Sequence, residues 1–79
     1  MNDLTEIGNE VARYALHAAR DEAQLCRQVG CHSFSEFQRG SIHGQLLVAR
    51  YDLGADEVLL QGIKNEVRFL ADDYVRRSA

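Results

Sequence analysis

The first 30 residues alternate apolar and polar positions with the period of an α-helix. At about 100° per residue, the apolar side chains between positions 4 and 29 fall in one broad arc, and polar side chains lie opposite. Asn2 or Asp3 suits the N-cap, and Gly30 suits a left-handed C-terminal cap. The pattern predicts an amphipathic helix over residues 4–29. Its arc contains Leu4, Ile7, Val11, Ala15, Ala18, Leu25 and Val29, with Tyr14, Ala19 and Cys26 at the margins.

Glu22 is the exception to this pattern, because it lies in the middle of the apolar arc. Burying a carboxylate without a partner is unfavourable. We therefore expect one of two arrangements. Either the helix bends or leaves the core near this turn, so that Glu22 reaches solvent, or an arginine side chain meets the carboxylate.

The second segment opens with a capping sequence. Ser33-Phe34-Ser35-Glu36 has the S-x-x-E form of a capping box, and it predicts a helix over residues 34–53 that ends before Gly54. Apolar residues occupy two arcs of this helix. We expect it to be central, packed on its own chain along one arc and on something else along the other. One arc holds Phe34, Phe37, Ser41, Gly44, Val48 and Tyr51, and the other holds Ile42, Leu46, Ala49 and Leu53.

Gly40 and Gly44 have the spacing that lets two helix backbones approach closely. Each glycine costs about 1 kcal/mol of helix propensity relative to alanine. Two interpretations stay open: local packing within the chain, which is the more common case, and a symmetric crossing of helices from two subunits. The residues assigned to self-association are Gly40, Ile42, Gly44, Leu46, Ala49 and Leu53.

The third segment has the clearest helical period, with an apolar stripe at alternating steps of three and four residues. Asp56 and Glu57 suit the N-terminal end of the helix dipole, and Arg76 and Arg77 suit its C-terminal end. A helix is predicted over residues 56–77. Its stripe consists of Leu60, Ile63, Val67, Leu70 and Tyr74, widened by Leu59 and Ala71.

These segments predict an all-α fold with one helical domain over residues 1–79. The short connection at Leu53-Gly54-Ala55 makes the second and third helices a central antiparallel hairpin, and the first helix packs across them. Short chains often obtain part of their stability from a partner subunit. We therefore expect this three-helix chain to dimerise into a helical bundle.

Composition narrows the functional classes. The chain has 79 residues, nine Lys and Arg against twelve Asp and Glu, and a formal net charge of −3, which disfavours non-specific attraction to nucleic acid or anionic lipid. No apolar run approaches the roughly 20 residues of a membrane span, and the N-terminus lacks a signal-peptide pattern. We expect a cytoplasmic protein with two reduced cysteines and no membrane partner.

No residue set predicts chemistry. Cys26, Cys31, His32 and His43 carry zinc-ligating atoms, but their spacing matches no standard knuckle or finger, and His17 lies nearly opposite Cys26 on the first helix. We predict no metal, no cofactor and no catalytic residue, hence no enzyme, and keep a zinc-binding domain as a minor alternative.

Two surfaces remain as candidates for contact with a partner protein. Val58 and Phe69 are apolar residues opposite the main stripe of the third helix. Arg39, His43 and Arg50 share one face of the second helix and suit an anion or an acidic partner. Scattered surface apolar residues and an ordinary polar face are the alternatives.

Function is therefore predicted as a non-enzymatic, homodimeric protein-binding module that inhibits or regulates a larger protein complex by occupying its surface. In size and composition the chain resembles small helical proteins of bacteriophages and mobile elements, including anti-CRISPR inhibitors of bacterial defence. That resemblance implies either an anti-defence role or the regulation of transcription. The alternative is a small DNA-binding transcriptional regulator, because residues 23–40 superficially resemble a helix-turn-helix. Glu36 and Arg39, however, occupy positions that should be apolar in its recognition helix.

Overall fold

The computed structural model describes residues 3–77, which form three helices packed side by side. Within that range there is no strand, so the all-α prediction is confirmed. Helix α1 spans Leu4–Val29. Helix α2 spans Glu36–Leu47 and continues as a π-helical segment, Val48–Asp52. Helix α3 spans Glu57–Arg68, continues as a π-helical segment, Phe69–Tyr74, and ends with Val75–Arg77.

Both ends of α1 lie where the sequence predicts them. Asp3 is the N-cap, and its carboxylate accepts a hydrogen bond from the Glu6 backbone N–H at 2.9 Å. Gly30 has a φ of 77°, in the left-handed region, and it lets the Cys31 N–H donate to the Cys26 carbonyl at 2.8 Å. The other cap candidate, Asn2, lies outside the described residues.

Helix α2 begins two residues later than predicted. Its N-cap is Ser35, whose hydroxyl accepts from the Gln38 backbone N–H at 3.2 Å. The assignment of the cap to Ser33 was wrong. Phe34, which precedes the helix, is buried in the core. The Ser33 carbonyl oxygen accepts a hydrogen bond from the Cys26 thiol at 3.4 Å.

The buried face of α1 consists of small side chains, against which α2 and α3 place larger ones. Leu4, Ile7, Leu25 and Val29, all predicted to lie in the apolar arc, are exposed. The buried face is centred about 80° away from that arc at 100° per residue. Small side chains pack there because they let the other helices approach closely. This face carries Gly8, Ala12, Ala15, Ala19, Ala23 and Cys26.

Glu22 is the one charged residue in this buried face among residues 3–77, with 8% of its surface exposed. Its Oε2 accepts a hydrogen bond from the Ser35 backbone N–H at 3.1 Å. Neither expected arrangement occurs, because the carboxylate meets the N-terminus of α2 and not solvent or an arginine. The free N–H groups and the dipole of a helix N-terminus favour a negative charge.

Glu22 also completes the cap of α2. In a capping box, a side chain at the third helical position accepts from the N-cap N–H. Here the hydroxyl of Ser35 caps Gln38, while the N–H of Ser35 is satisfied by a residue of α1. The start of α2 is thereby fixed to α1.

Polar contacts also join α1 to α3. The Asn9 side-chain carbonyl accepts from the Asp56 backbone N–H at 2.8 Å, at the start of α3. About three turns further along α1, Arg20 pairs with Glu66 at 2.7 Å, and about two turns beyond that the Arg27 guanidinium lies 4.5 Å from the centre of the Tyr74 ring. These contacts fix the position of α3 along the axis of α1.

Helices α2 and α3 run antiparallel, as predicted, but the expectation that they form the centre of the fold was wrong. Helix α1 is the central element, because its small side chains let it pack closely on both α2 and α3, while the backbones of α2 and α3 stay further apart. Arg50 near the end of α2 pairs with Glu57 at the start of α3 at 3.2 Å, and Gly54, with a φ of 68°, reverses the chain between them. The molecule measures 45 × 21 × 17 Å, and its long axis matches the roughly 39 Å length of a 26-residue helix such as α1. Among the described helices, none is long and apolar enough to span a membrane.

The close approach at Gly8 gives a first test. A methyl group at Gly8 would lie 3.0 Å from the Leu53 Cβ and 3.1 Å from the Ala49 carbonyl oxygen, whereas one at Gly62 of α3 meets nothing within 4 Å. Gly62→Ala should stabilise the protein by about 1 kcal/mol through helix propensity. In Gly8→Ala, overpacking of about 1–3 kcal/mol outweighs the same gain. Thermal unfolding should shift in opposite directions, and a stabilised Gly8→Ala would contradict the close packing.

The role of Glu22 gives a second test. Glu22→Ala leaves the Ser35 N–H without its acceptor and should lower the free energy of unfolding by about 2 kcal/mol. Asp21→Ala removes the same charge from an exposed neighbouring position and should change it by less than about 0.5 kcal/mol. Urea unfolding of both variants measures the difference. Equal losses would mean that charge alone, and not the cap contact, accounts for the effect.

Candidate binding surfaces

A groove of about 260 Å³ runs between α2 and α3 on the side away from α1. Its floor is apolar: Phe34, Ile42 and Ala71 are buried, and Leu46 and Val67 are partly buried. The side chains that line it above this floor are charged or titratable. They are Arg39 and His43 on α2, and Lys64, Arg68 and Asp72 on α3.

Cationic side chains outnumber carboxylates in this groove. Asp72 is its only carboxylate among the described residues, and it lies 3.9 Å from Arg39, at the outer limit of an ion pair. His43, Lys64 and Arg68 have no ion-pair partner within residues 3–77. A chain with net charge −3 thus has a locally basic groove over an apolar floor.

The predicted basic face of α2 lies along this groove. Arg39 and His43 line it directly. Arg50 lines an adjacent hollow of about 90 Å³ together with His43 and Lys64, while its guanidinium is paired with Glu57 and lies 5.6 Å from the centre of the Tyr51 ring. All three predicted residues therefore lie on one side of the hairpin.

The contribution of α3 to the groove was missed. Lys64 and Arg68 are one turn apart and flank the apolar stripe of α3 beside Val67. Their spacing was visible in the sequence. Placing them opposite Arg39 and His43 required the register of the hairpin, which the sequence pattern left open.

The outer face of α2 is a second surface, and it is apolar. Phe37 is 80% exposed and Tyr51 is 72% exposed, with Leu47 and Val48 partly exposed between them. Gly40 and Gly44 lie on this face, and a methyl group added at either one would meet nothing within 4 Å. Within residues 3–77, nothing makes a close backbone contact with these glycines. We call Phe37, Gly40, Gly44, Leu47, Val48 and Tyr51 the outer face of α2.

The arc of α2 that was assigned to self-association is buried within the chain, and the other arc is the one that is mostly exposed. Ile42 and Ala49, assigned to a subunit interface, are 2% and 0% exposed and belong to the chain's own core. Leu46 packs against that core, and Leu53 is half-buried. The reason is that α1 and α3 both pack on this arc. Of the assigned residues, Gly40 and Gly44 face away from the chain.

Val58 and Phe69 do not form one patch. Val58 is 82% exposed near the start of α3, and Phe69 is partly exposed about 16 Å further along the helix axis. The ring of Phe69 contacts that of Tyr74, with centroids 6.4 Å apart. The π-helical segment explains this contact, because its wider turn brings residues five apart onto one side.

The cysteines and histidines are dispersed. Cys26 is buried on α1, whereas Cys31 is exposed and His17, His32 and His43 lie on the surface. Among residues 3–77, no three His, Cys, Asp or Glu side chains are grouped so that they could hold a metal ion. Burial raises the pKa of the Cys26 thiol, and the Glu22 charge and Cys31 raise it further.

Comparison with protein-family models, curated proteins and solved structures returned no match for this chain.

The two thiols should differ in reactivity. The thiolate is the reactive form, so a raised pKa and burial both slow Cys26, while Cys31 is open to reagents. With iodoacetamide at pH 7.5, Cys31 should be alkylated at least about tenfold faster than Cys26. Peptide mass spectrometry measures both rates, with urea-unfolded protein as the control in which they converge. Equal rates in the native protein would contradict the burial of Cys26.

Proposed function

We propose that this chain is a non-enzymatic protein-binding module that pairs with a second copy of itself across the outer face of α2. The observation that carries the proposal is the composition of that face, where exposed aromatic and aliphatic side chains flank two glycines with open space beside them. Contiguous exposed apolar surface of this kind is typical of protein-protein interaction sites. Glycines in mid-helix are unfavourable in isolation, and they are explained if another helix backbone approaches them.

The positions along α2 favour an antiparallel crossing centred on Gly44. In that arrangement Phe37 lies opposite the partner's Tyr51, and Gly40 lies opposite the partner's Val48. Large side chains then meet at the ends of the interface and a small one meets a large one near its middle. A two-fold interface is self-complementary in this way.

The same module would act by occupying a surface of a larger complex without turnover, as an inhibitor or regulator does. The DNA-binding alternative lacks a supporting observation. In a helix-turn-helix the two helices cross at a wide angle after a turn of three or four residues. Here α1 and α2 run antiparallel along their lengths, since Gly8 lies against Leu53 at one end and Glu22 bonds Ser35 at the other.

Gly44→Ala tests the proposed dimer. In an isolated chain the added methyl group meets nothing within 4 Å, so helix propensity should raise the stability of the monomer by about 1 kcal/mol. In the dimer the same group separates the two backbones, and the dissociation constant should rise about tenfold or more. Stability and association therefore move in opposite directions. Sedimentation velocity over a concentration series and thermal unfolding of dilute protein measure the two quantities.

Gly62→Ala is the matched control, because it makes the same change on α3, also in open space. It should raise stability without altering association. Tyr51→Asp provides a second variant, which should abolish the dimer and leave the fold intact because Tyr51 is exposed. A wild-type protein that stays monomeric at about 100 μM, or a Gly44→Ala dimer as tight as the wild type, would rule the interface out.

A further inference from the structure

The groove between α2 and α3 joins two features that are usually separate on a protein surface. Its floor is apolar and includes the buried side chains of Ile42 and Phe34. Its walls carry four basic side chains and one carboxylate. A ligand that satisfies both features must itself be amphipathic and acidic.

The positions of the basic side chains also define the direction in which such a ligand would lie. Arg39 and His43 are four residues apart on one wall, and Lys64 and Arg68 are four residues apart on the other. Four residues correspond to about 6 Å along a helix axis. Each wall therefore presents two basic side chains one turn apart, parallel to the groove.

The size of the groove limits its occupant. At about 260 Å³ it lies below the roughly 300–1,000 Å³ of typical small-molecule sites, and it has room for one or two aliphatic side chains. A bare anion would gain nothing from the apolar floor. Duplex nucleic acid presents a phosphate backbone and has no apolar side chain to place on that floor.

We propose that this groove binds an acidic amphipathic helix of a partner protein, with aliphatic side chains on the floor and carboxylates against both walls. A helix carrying glutamates one turn apart on either side of an apolar stripe matches the spacing of Arg39, His43, Lys64 and Arg68. The charge-assisted contacts give specificity and a fast association rate, while apolar burial supplies affinity. This inference deepens the proposed binding role by naming the class of partner, and it does not depend on self-association.

The probe is a labelled 16-residue synthetic peptide with leucines along one helical stripe and glutamates on both sides of it. We expect it to bind the wild-type protein at low ionic strength and to bind more weakly as salt is added, since salt screens the contacts. Fluorescence anisotropy measures the affinity. A second peptide with lysines in place of the glutamates should not bind.

Lys64→Glu combined with Arg68→Glu reverses one wall of the groove, and it should raise the dissociation constant about tenfold or more. The matched control is Arg76→Glu combined with Arg77→Glu, which makes the same charge change on the exposed end of α3, outside the groove. The control should change the dissociation constant by less than about twofold. If circular dichroism shows the first double variant to be unfolded, Lys64→Gln replaces it, with Arg76→Gln as control and an expected rise of about threefold.

Several results would overturn the proposal. They are no binding of the acidic peptide at low salt, equal binding of the lysine peptide, equal losses in groove and control variants, or displacement of the peptide by a 20-base-pair duplex at lower concentration. Sedimentation of the groove variant separates this proposal from the dimer, because the groove variant should keep the wild-type oligomeric state. A monomeric wild type that binds the peptide would refute the dimer and leave the groove assignment standing.

Discussion

The packing of the three helices depends on the small side chains along one face of α1. Ala12, Ala15 and Ala19 have no exposed surface, and at Gly8 even a methyl group would contact the backbone of α2. A face of alanines lets two helices approach closely, but it buries little apolar area itself. The larger core residues therefore come from α2 and α3. Of the larger side chains of α1, Leu16 is partly buried against this core, while Leu4, Leu25 and Tyr14 lie on the surface.

A flat face of small side chains also gives little information about register, because interlocking side chains are what normally fix it. Here polar contacts between helices supply that information. Glu22 bonds the N-cap of α2, Asn9 bonds the start of α3, and Arg20 pairs with the middle of α3. Two of these contacts satisfy backbone N–H groups at the beginning of a helix. The same bonds that orient α2 and α3 on α1 thus also determine where those helices start.

The features that depend on neighbouring residues in the chain could be predicted from the sequence. The bounds of α1, its Asp3 and Gly30 caps and the antiparallel hairpin follow from periodicity and capping residues. The buried side of α1 does not follow, because a hydrophobic arc gives more weight to leucine than to alanine, whereas close packing favours the smaller residue. The start of α2 was misplaced because Ser33 and Ser35 each precede a Glu or Gln by three positions. Burial of Phe34, a tertiary contact, decides between them. The α3 side of the groove, with Lys64 and Arg68, was missed for the same reason, because tertiary packing places it opposite α2.

Helix α2 explains why two binding surfaces are compatible in one small chain. Its inner arc, with Ile42 and Ala49, is closed by α1 and α3. The two remaining sides differ in character: the outer face is apolar, while the side toward α3 carries Arg39 and His43 above the groove. In the proposed dimer the outer faces are covered, and the cationic walls stay apart, so like charges do not meet. Each dimer would present two grooves, and a partner with two acidic helices, or two copies of one helix, would gain affinity from simultaneous binding. Self-association and partner binding then reinforce each other without sharing a surface.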